Sequence, residues 1–157
     1  MMTALLMLVM TGCGGGEDGQ TDDMTSGVEG VDLSQVRTAI IEELAIEEPF
    51  MLETDSLLDL YGIGAESVKQ SASFVTMSGT FPDEVILIEA VDEGAADTIE
   101  GCLQTRLDEV MIQSQTYDAE NYALAQECEI TRTGLFVTLI LSPYHEEITE
   151  IYQQYVN

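Results

Sequence analysis

The sequence predicts an α+β domain whose antiparallel sheet has four strands in two hairpins, with a long helix packed on one face and additional helices flanking it. Three observations predict this fold class. Residues 84–91 form an evenly apolar, β-branched run that is typical of a buried strand. Leu135, Val137, Leu139 and Leu141 recur at every second position and would line one face of a strand. Between these two runs, apolar residues recur at helical spacing, so a helix should cross the sheet.

The first two elements are predicted to be helices. Asp32 can cap the first helix and Gln35 stands three residues later, as in a capping box. Apolar residues recur along one face of it, namely Leu33, Val36, Ile40 and Leu44. Pro49 sets its limit. Residues 54–61 predict a short second helix that Gly62 closes, with Ile63 folding back over its last turn.

The first hairpin and the long helix follow. Residues 71–77 are a weaker strand candidate, residues 79–82 predict a turn, and the run at 84–91 supplies the second strand. Asp92 and Glu93 then open the longest helix. Its apolar stripe consists of Ala96, Ile99, Leu103, Leu107 and Val110.

A second hairpin and a closing helix complete the domain. We expect a tyrosine-rich loop around Tyr117 and Tyr122, followed by strands over 127–133 and 135–141 that turn at Gly134. Ser142 and Pro143 suit a helix start, and acidic residues follow them in the first turn. The apolar side of this helix consists of Ile148, Ile151, Tyr152 and Tyr155.

The amino terminus predicts an export signal. Residues 1–12 are apolar without a charged side chain, and they are shorter than the roughly 20 residues that a membrane-spanning helix needs. The run Met10-Thr11-Gly12-Cys13 resembles the lipobox of bacterial lipoproteins. That resemblance implies a diacylglyceryl group on Cys13 and a membrane anchor on the extracytoplasmic face of the cell membrane. We therefore predict a signal peptide over 1–12, a lipidated Cys13 with an acidic, glycine-rich linker over 13–30, and one globular domain over 31–157.

The charge balance argues against nucleic acid as a partner. The chain has 30 acidic and 4 basic residues, with a formal net charge of -26. Nucleic-acid binding depends on clustered basic side chains, whereas the four here are scattered along the chain. Solubility is the simplest interpretation of this acidity, and a salt-rich habitat or loose divalent-cation binding are the alternatives.

Three segments carry a second resemblance. They are Leu58-Asp-Leu-Tyr-Gly-Ile63, the strand Asp83–Asp92 leading into a helix with Leu103 and Arg106, and the Gly134 turn before residues 135–142. Over roughly residues 33–142 the chain resembles small bacterial lipoproteins whose globular part is a domain of unknown function. The resemblance implies an extracytoplasmic α+β domain and no particular reaction.

The sequence offers few residues with the spacing of a catalytic or metal site, and we predict no metal site, catalytic residue or cofactor. The pair His145-Glu146 resembles the opening of a zinc-protease motif, but no second histidine follows at the required spacing. We therefore expect His145 to be exposed in the first turn of the last helix. Cys102 and Cys128 either form a disulfide or remain free thiols. Arg106 either pairs with a nearby carboxylate or contacts a ligand.

Three functional hypotheses remain from the sequence. The first is a noncatalytic envelope module that binds an unknown envelope protein, peptide or small ligand, with Arg106, Tyr117 and Tyr122 as candidate contacts. The second is an extracytoplasmic hydrolase that uses carboxylates, which would require two buried acids in one cleft. The third is a structural or inhibitory lipoprotein without a pocket.

Overall fold

The computed structural model describes residues 30–77 and 82–156. The predicted signal peptide, the predicted lipidation site at Cys13, the predicted linker up to residue 29 and residues 79–81 of the predicted turn lie outside these residues. Within the described ranges the chain is an α+β domain, as predicted. None of its described helices is both long and apolar enough to cross a membrane.

The sheet is antiparallel and has six strands rather than the predicted four. The strands are β1 (Phe50–Met51), β2 (Val68–Ser71), β3 (Phe74–Thr76), β4 (Asp83–Ala90), β5 (Ile130–Thr133) and β6 (Phe136–Leu141). Their order is β1-β3-β4-β6-β5, and β2 also pairs with β4. The two predicted hairpins are present, and the additional strands are the two-residue β1 and the separate β2.

The predicted first strand is divided because β2 and β3 pair with different halves of β4. At the break, the Ser73 hydroxyl replaces a backbone partner: it accepts from the Leu87 amide at 3.1 Å and lies 3.4 Å from the Leu87 carbonyl. The Ala72 amide donates to that same carbonyl at 3.0 Å. The side chain thus satisfies buried backbone groups that the interrupted ladder would leave unpaired.

Five α-helices surround the sheet, namely α1 (Leu33–Glu43), α2 (Thr54–Tyr61), α3 (Glu93–Tyr117), α4 (Ala119–Glu127) and α5 (His145–Gln153). Asp32 caps α1, since its carboxylate accepts from the Ser34 amide at 2.9 Å. Gly62 ends α2 in the left-handed conformation with φ 71°, as its position predicts. A short 3-10 helix (Ala65–Ser67) joins α2 to the sheet.

One face of the sheet packs against α3. Alternate residues of β4, such as Ile86 and Ile88, face this side, together with Val137 and Leu139 of β6. The predicted stripe of α3 is buried against them: Ala96, Ile99, Leu103, Leu107 and Val110. The long helix therefore lies across one face, as the periodicity predicted.

The opposite face is covered by α1 and α5. Val85 and Leu87 of β4 point to this side, where they meet Val36 and Ile40 of α1. Residues from α5 complete this second cluster, namely Ile148, Ile151 and Tyr152. Because both faces are covered, the middle of β4 is a continuous apolar run over residues 85–88 rather than an alternating one.

The predicted tyrosine-rich loop is wrong. The structure continues α3 to Tyr117, and α4 follows after Asp118 alone. The carboxylate of Asp118 accepts from the Asn121 amide at 3.1 Å and caps α4. Ala125 is buried against the α3 side of the core, so tertiary packing supports a helix whose own apolar periodicity is weak.

Candidate functional site: an acidic groove at one end of the sheet

A cavity lies at the end of the sheet where β4 begins. It has a volume of about 370 Å³. Since β4 is antiparallel to β3 and β6, the last residues of both neighbours reach this end. The cavity lies on the face that α1 and α5 cover. We call it the acidic groove, and its lining residues are Leu44, Ala45, Ile46, Glu47, Glu48, Phe74, Thr76, Met77, Asp83, Val85, Ser142, Tyr144 and Ile148.

The floor of the acidic groove is apolar, whereas its rim is acidic. Phe74, Val85 and Ile148 belong to the buried cluster beneath it. Glu47 and Glu48 are exposed at the rim. No described residue lining the groove is basic. In the described part of the chain, neither rim glutamate has a basic group within salt-bridge distance.

One wall of the groove is a strained turn after α1. Ala45 and Glu48 both have left-handed backbone angles, with φ 49° and φ 50°. Ala45 stands just past the helix end, where glycine is the usual residue because a Cβ disfavours this conformation. The turn directs Ile46 back against the core, and its amide donates to the Ile41 carbonyl at 3.0 Å. A backbone conformation of intrinsic cost therefore shapes the groove wall.

The opposite face of the same sheet end holds a buried ion pair. Glu84 is only 1% exposed. The Arg106 guanidinium donates to its carboxylate through Nε at 3.2 Å and through a terminal nitrogen at 2.5 Å. The Tyr61 hydroxyl donates to the other side of that carboxylate at 2.8 Å. These three residues, which we call the Tyr61–Glu84–Arg106 cluster, join α2, β4 and α3.

The cluster changes the titration of its own members. Burial, followed by the charge of Glu84, raises the pKa of Tyr61 above its ordinary value. The hydrogen bond to Glu84 raises the pKa of Arg106. Tyr61 is therefore held as a neutral donor and Arg106 as a cation. Their donors surround the carboxylate, so the cluster is a satisfied structural network.

Comparison with known families identifies the segment that contains both regions. A family described as Domain of unknown function (DUF4358) matches residues 44–142, which is more than half of the chain. The chain belongs to this family. No curated protein and no solved structure matches the chain in the corresponding comparisons. The DUF4358 segment contains the whole Tyr61–Glu84–Arg106 cluster and every residue of the acidic groove before Tyr144.

The candidate ligand contacts predicted from the sequence do not form one site in the DUF4358 segment. Arg106 forms an ion pair with Glu84, and Glu109 lies 3.8 Å from its guanidinium group. Of the two roles predicted for Arg106, the structure therefore shows pairing with a carboxylate. Tyr117 is 89% exposed at the end of α3, about 16 Å further along the helix axis at 1.5 Å per residue. Tyr122 is half-buried on α4, where its hydroxyl accepts from Gln115 at 3.4 Å.

Both cysteines of the DUF4358 segment are free thiols, so the candidate disulfide between them is absent from the structure. The Cys102 thiol points to the Gly62 carbonyl at 3.8 Å. Cys128 is buried, and this burial raises the pKa of its thiol to about 11. A thiol with so high a pKa is a poor nucleophile at neutral pH.

His145 begins α5, as predicted, but it is half-buried rather than exposed. Its Nδ1 atom lies 3.2 Å from the Ser142 carbonyl, because the chain turns sharply there. His145 and Cys128 line a second cavity of about 240 Å³. Among the described residues, no group of three or more His, Cys, Asp or Glu side chains is arranged to hold a metal ion.

Two further charged networks connect helices to the sheet. Arg132 on β5 contacts three acidic residues of α3, namely Glu93, Asp97 and Glu100. Glu89, buried on the α1 side of β4, contacts Lys69 at 2.6 Å and accepts from Gln70 at 2.5 Å. The Gln70 side chain also bonds the Val31 carbonyl and the Leu33 amide. It thereby joins the start of α1 to the sheet.

Sequence reasoning overlooked Glu84 and the groove. Glu84 carried a recognisable signal, because a carboxylate at the start of an otherwise apolar buried strand requires a cationic partner. Arg106, between the buried Leu103 and Leu107, was an available cation on the helix predicted to cross that strand. The groove had no such signal, since its lining comes from segments far apart in the chain.

Proposed function

We propose that this protein is a noncatalytic binding module of the cell envelope, held on the extracytoplasmic face of the membrane by lipid on Cys13. A protein, peptide or small ligand binds in the acidic groove. The groove itself is the observation that carries the binding role. Its volume of about 370 Å³ falls within the range of roughly 300–1,000 Å³ that ligand sites occupy. An apolar floor with a few polar groups at its rim is also typical of such sites.

The positions of the buried carboxylates favour binding over hydrolysis. Among the described residues, Glu84 and Glu89 are the buried acidic side chains. They lie on opposite faces of β4, since Glu84 contacts α2 and α3 whereas Glu89 contacts residues beside α1. Each is already paired with a cation. Two acids separated by a sheet cannot share one substrate, so this pair does not support carboxylate-based hydrolysis.

The proposed location on the membrane rests on the lipobox-like run that ends at Cys13. To test it, the intact gene is expressed in a bacterial host and the membrane fraction and mature mass are measured. We expect the wild-type chain to sediment with membranes and to carry a diacylglyceryl mass. The Cys13→Ala variant should lose that mass and leave the membrane fraction. An unprocessed, unlipidated wild-type chain would contradict the proposed anchor.

The binding role is tested separately with a library of chemically diverse fragments. Amide chemical shifts of the full chain are recorded by nuclear magnetic resonance as each fragment is added. We expect some fragments to perturb amides of residues 44–48 and 142–144 together, because these segments line one groove. If no fragment of any charge perturbs them, the acidic groove is not a binding site and the proposed function fails.

A further inference from the structure

We propose that the ligand of the acidic groove is a positively charged peptide segment that also carries apolar side chains. The inference rests on the binding role proposed above for the same groove, and it specifies the class of partner. Two independent properties of the groove lead to it, namely the sign of charge at the rim and the chemistry of the floor and walls.

The rim selects for positive charge. Glu47 and Glu48 stand exposed on one wall of the groove. The low-dielectric floor beneath them concentrates their electric field within the groove. Three of the chain's four basic residues, Lys69, Arg106 and Arg132, form ion pairs elsewhere on the molecule. A cationic ligand therefore meets the Glu47 and Glu48 carboxylates without a basic competitor among the described lining residues.

The walls and floor select for apolar side chains. Met77 is 76% exposed and Tyr144 is 51% exposed, although both line the groove. Exposed methionine and tyrosine are adaptable contact surfaces, and a tyrosine ring also attracts an ammonium or guanidinium group. The floor residues Phe74 and Val85 already belong to the core. A ligand that covers the walls would extend that cluster outward.

Charge complementarity favours this partner over other possible occupants of the groove. An anionic ligand would be repelled by the rim. The chain's own residues 1–30 include an apolar stretch without basic groups and an acidic linker, so they lack the charge that the rim favours. A peptide with alternating basic and apolar side chains satisfies both the rim and the floor.

Three synthetic peptides test the inference. They share the same leucine and phenylalanine positions and carry lysine, glutamine or glutamate at the intervening positions. Their Kd values for the full chain are measured by calorimetry, and the contacted surface is mapped by amide chemical shifts. We expect the lysine peptide to perturb the groove residues and to bind about tenfold more tightly than the glutamine peptide. Raising the ionic strength should weaken its binding by about tenfold.

Matched variants separate the groove from the general acidity of the protein. The double variant Glu47→Gln/Glu48→Gln should weaken lysine-peptide binding by about fivefold to tenfold. The control Glu42→Gln/Glu43→Gln removes the same charge from the exposed side of α1 and should change Kd by less than about twofold. Tyr144→Ala should weaken the lysine and glutamine peptides alike, because it removes an apolar wall.

The contrary outcomes distinguish failure of the cationic-peptide inference from failure of the groove as a binding site. Equal weakening by both double variants would overturn the inference, because the whole acidic surface would then attract the peptide. Equal binding of the glutamine and lysine peptides at the groove would also overturn it, while leaving the groove as a binding site. If no peptide perturbs the groove, the cationic-peptide class is wrong, and the fragment screen decides separately whether the groove binds ligands at all.

Discussion

At the beginning of β4, the carboxylates on the two faces of the sheet lie in opposite environments. Glu84 and Val85 are neighbours in the chain, and their side chains point to opposite faces. On the Glu84 face, Arg106 and Tyr61 enclose the carboxylate almost completely. On the Val85 face, the acidic groove opens to solvent, and Glu47 and Glu48 remain exposed above an apolar floor.

The difference follows from the cost of removing charge from water. A carboxylate buried beside α3 is tolerated only when donors and a cation surround it, so the Tyr61–Glu84–Arg106 cluster specifies how three elements meet. The rim carboxylates keep their hydration and need no internal partner. Their charge is available to a ligand, whereas the charge of Glu84 is already paired with Arg106 inside the protein.

The largest expected effect comes from breaking the buried pair. Arg106→Met should lower the free energy of unfolding by about 3 kcal/mol, because Glu84 would remain buried without its cation. The measurement is urea unfolding followed by circular dichroism. Replacing both partners in Glu84→Met/Arg106→Met should restore most of the loss.

Arg132→Met is the matched control on the surface. Its partners are exposed, with side-chain accessibilities of 47% to 73%. We expect it to cost about 1 kcal/mol or less. A similar loss for Arg106→Met would mean that the Glu84 pair behaves as an ordinary surface salt bridge.

A smaller effect distinguishes a satisfied buried hydroxyl from an unsatisfied one. Tyr61→Phe should cost about 1.5 kcal/mol, because it removes a hydrogen bond to a charged group. Tyr152 is equally buried, but its hydroxyl has no hydrogen-bond partner in the described part of the chain. Tyr152→Phe should therefore be neutral or slightly stabilising, and equal losses in both variants under thermal unfolding would refute this contrast.

The smallest effect concerns the strained groove wall. Ala45→Gly should raise the free energy of unfolding by about 0.5 kcal/mol, because relief of the left-handed conformation exceeds the added flexibility of the unfolded chain. Ala39→Gly, within α1, should instead cost about 1 kcal/mol. Urea unfolding compares the two, and a loss in Ala45→Gly would show that the turn is not strained.

Local patterns were sufficient for most of the fold. The cap at Asp32, the stop at Gly62 and the long apolar stripe of α3 each act within a few residues, so the sequence alone predicted those helices. The apolar run of β4 likewise predicted that strand, and the turn at Gly134 predicted the hairpin of β5 and β6.

Other elements depend on partners that are remote in sequence. The helix α4 has little periodicity of its own and is held by packing against α3. The two-residue β1 exists because Phe50 and Met51 pair with β3. A strand of two residues is too short to produce a recognisable local sequence pattern. The first helix also ends at Glu43, before Pro49, since the chain must turn there to place Ile46 on the core.

The sequence by itself determined the fold class, the central strands, most helices and the extreme acidity, because periodicity, caps and charge are properties of neighbouring residues. Only the tertiary structure decided which carboxylates are neutralised and which remain in water. Glu84 and Glu47 have the same side chain, but long-range packing buries the first between Tyr61 and Arg106 and leaves the second at the rim of a groove. That distinction depends on solvation and on distances between remote segments.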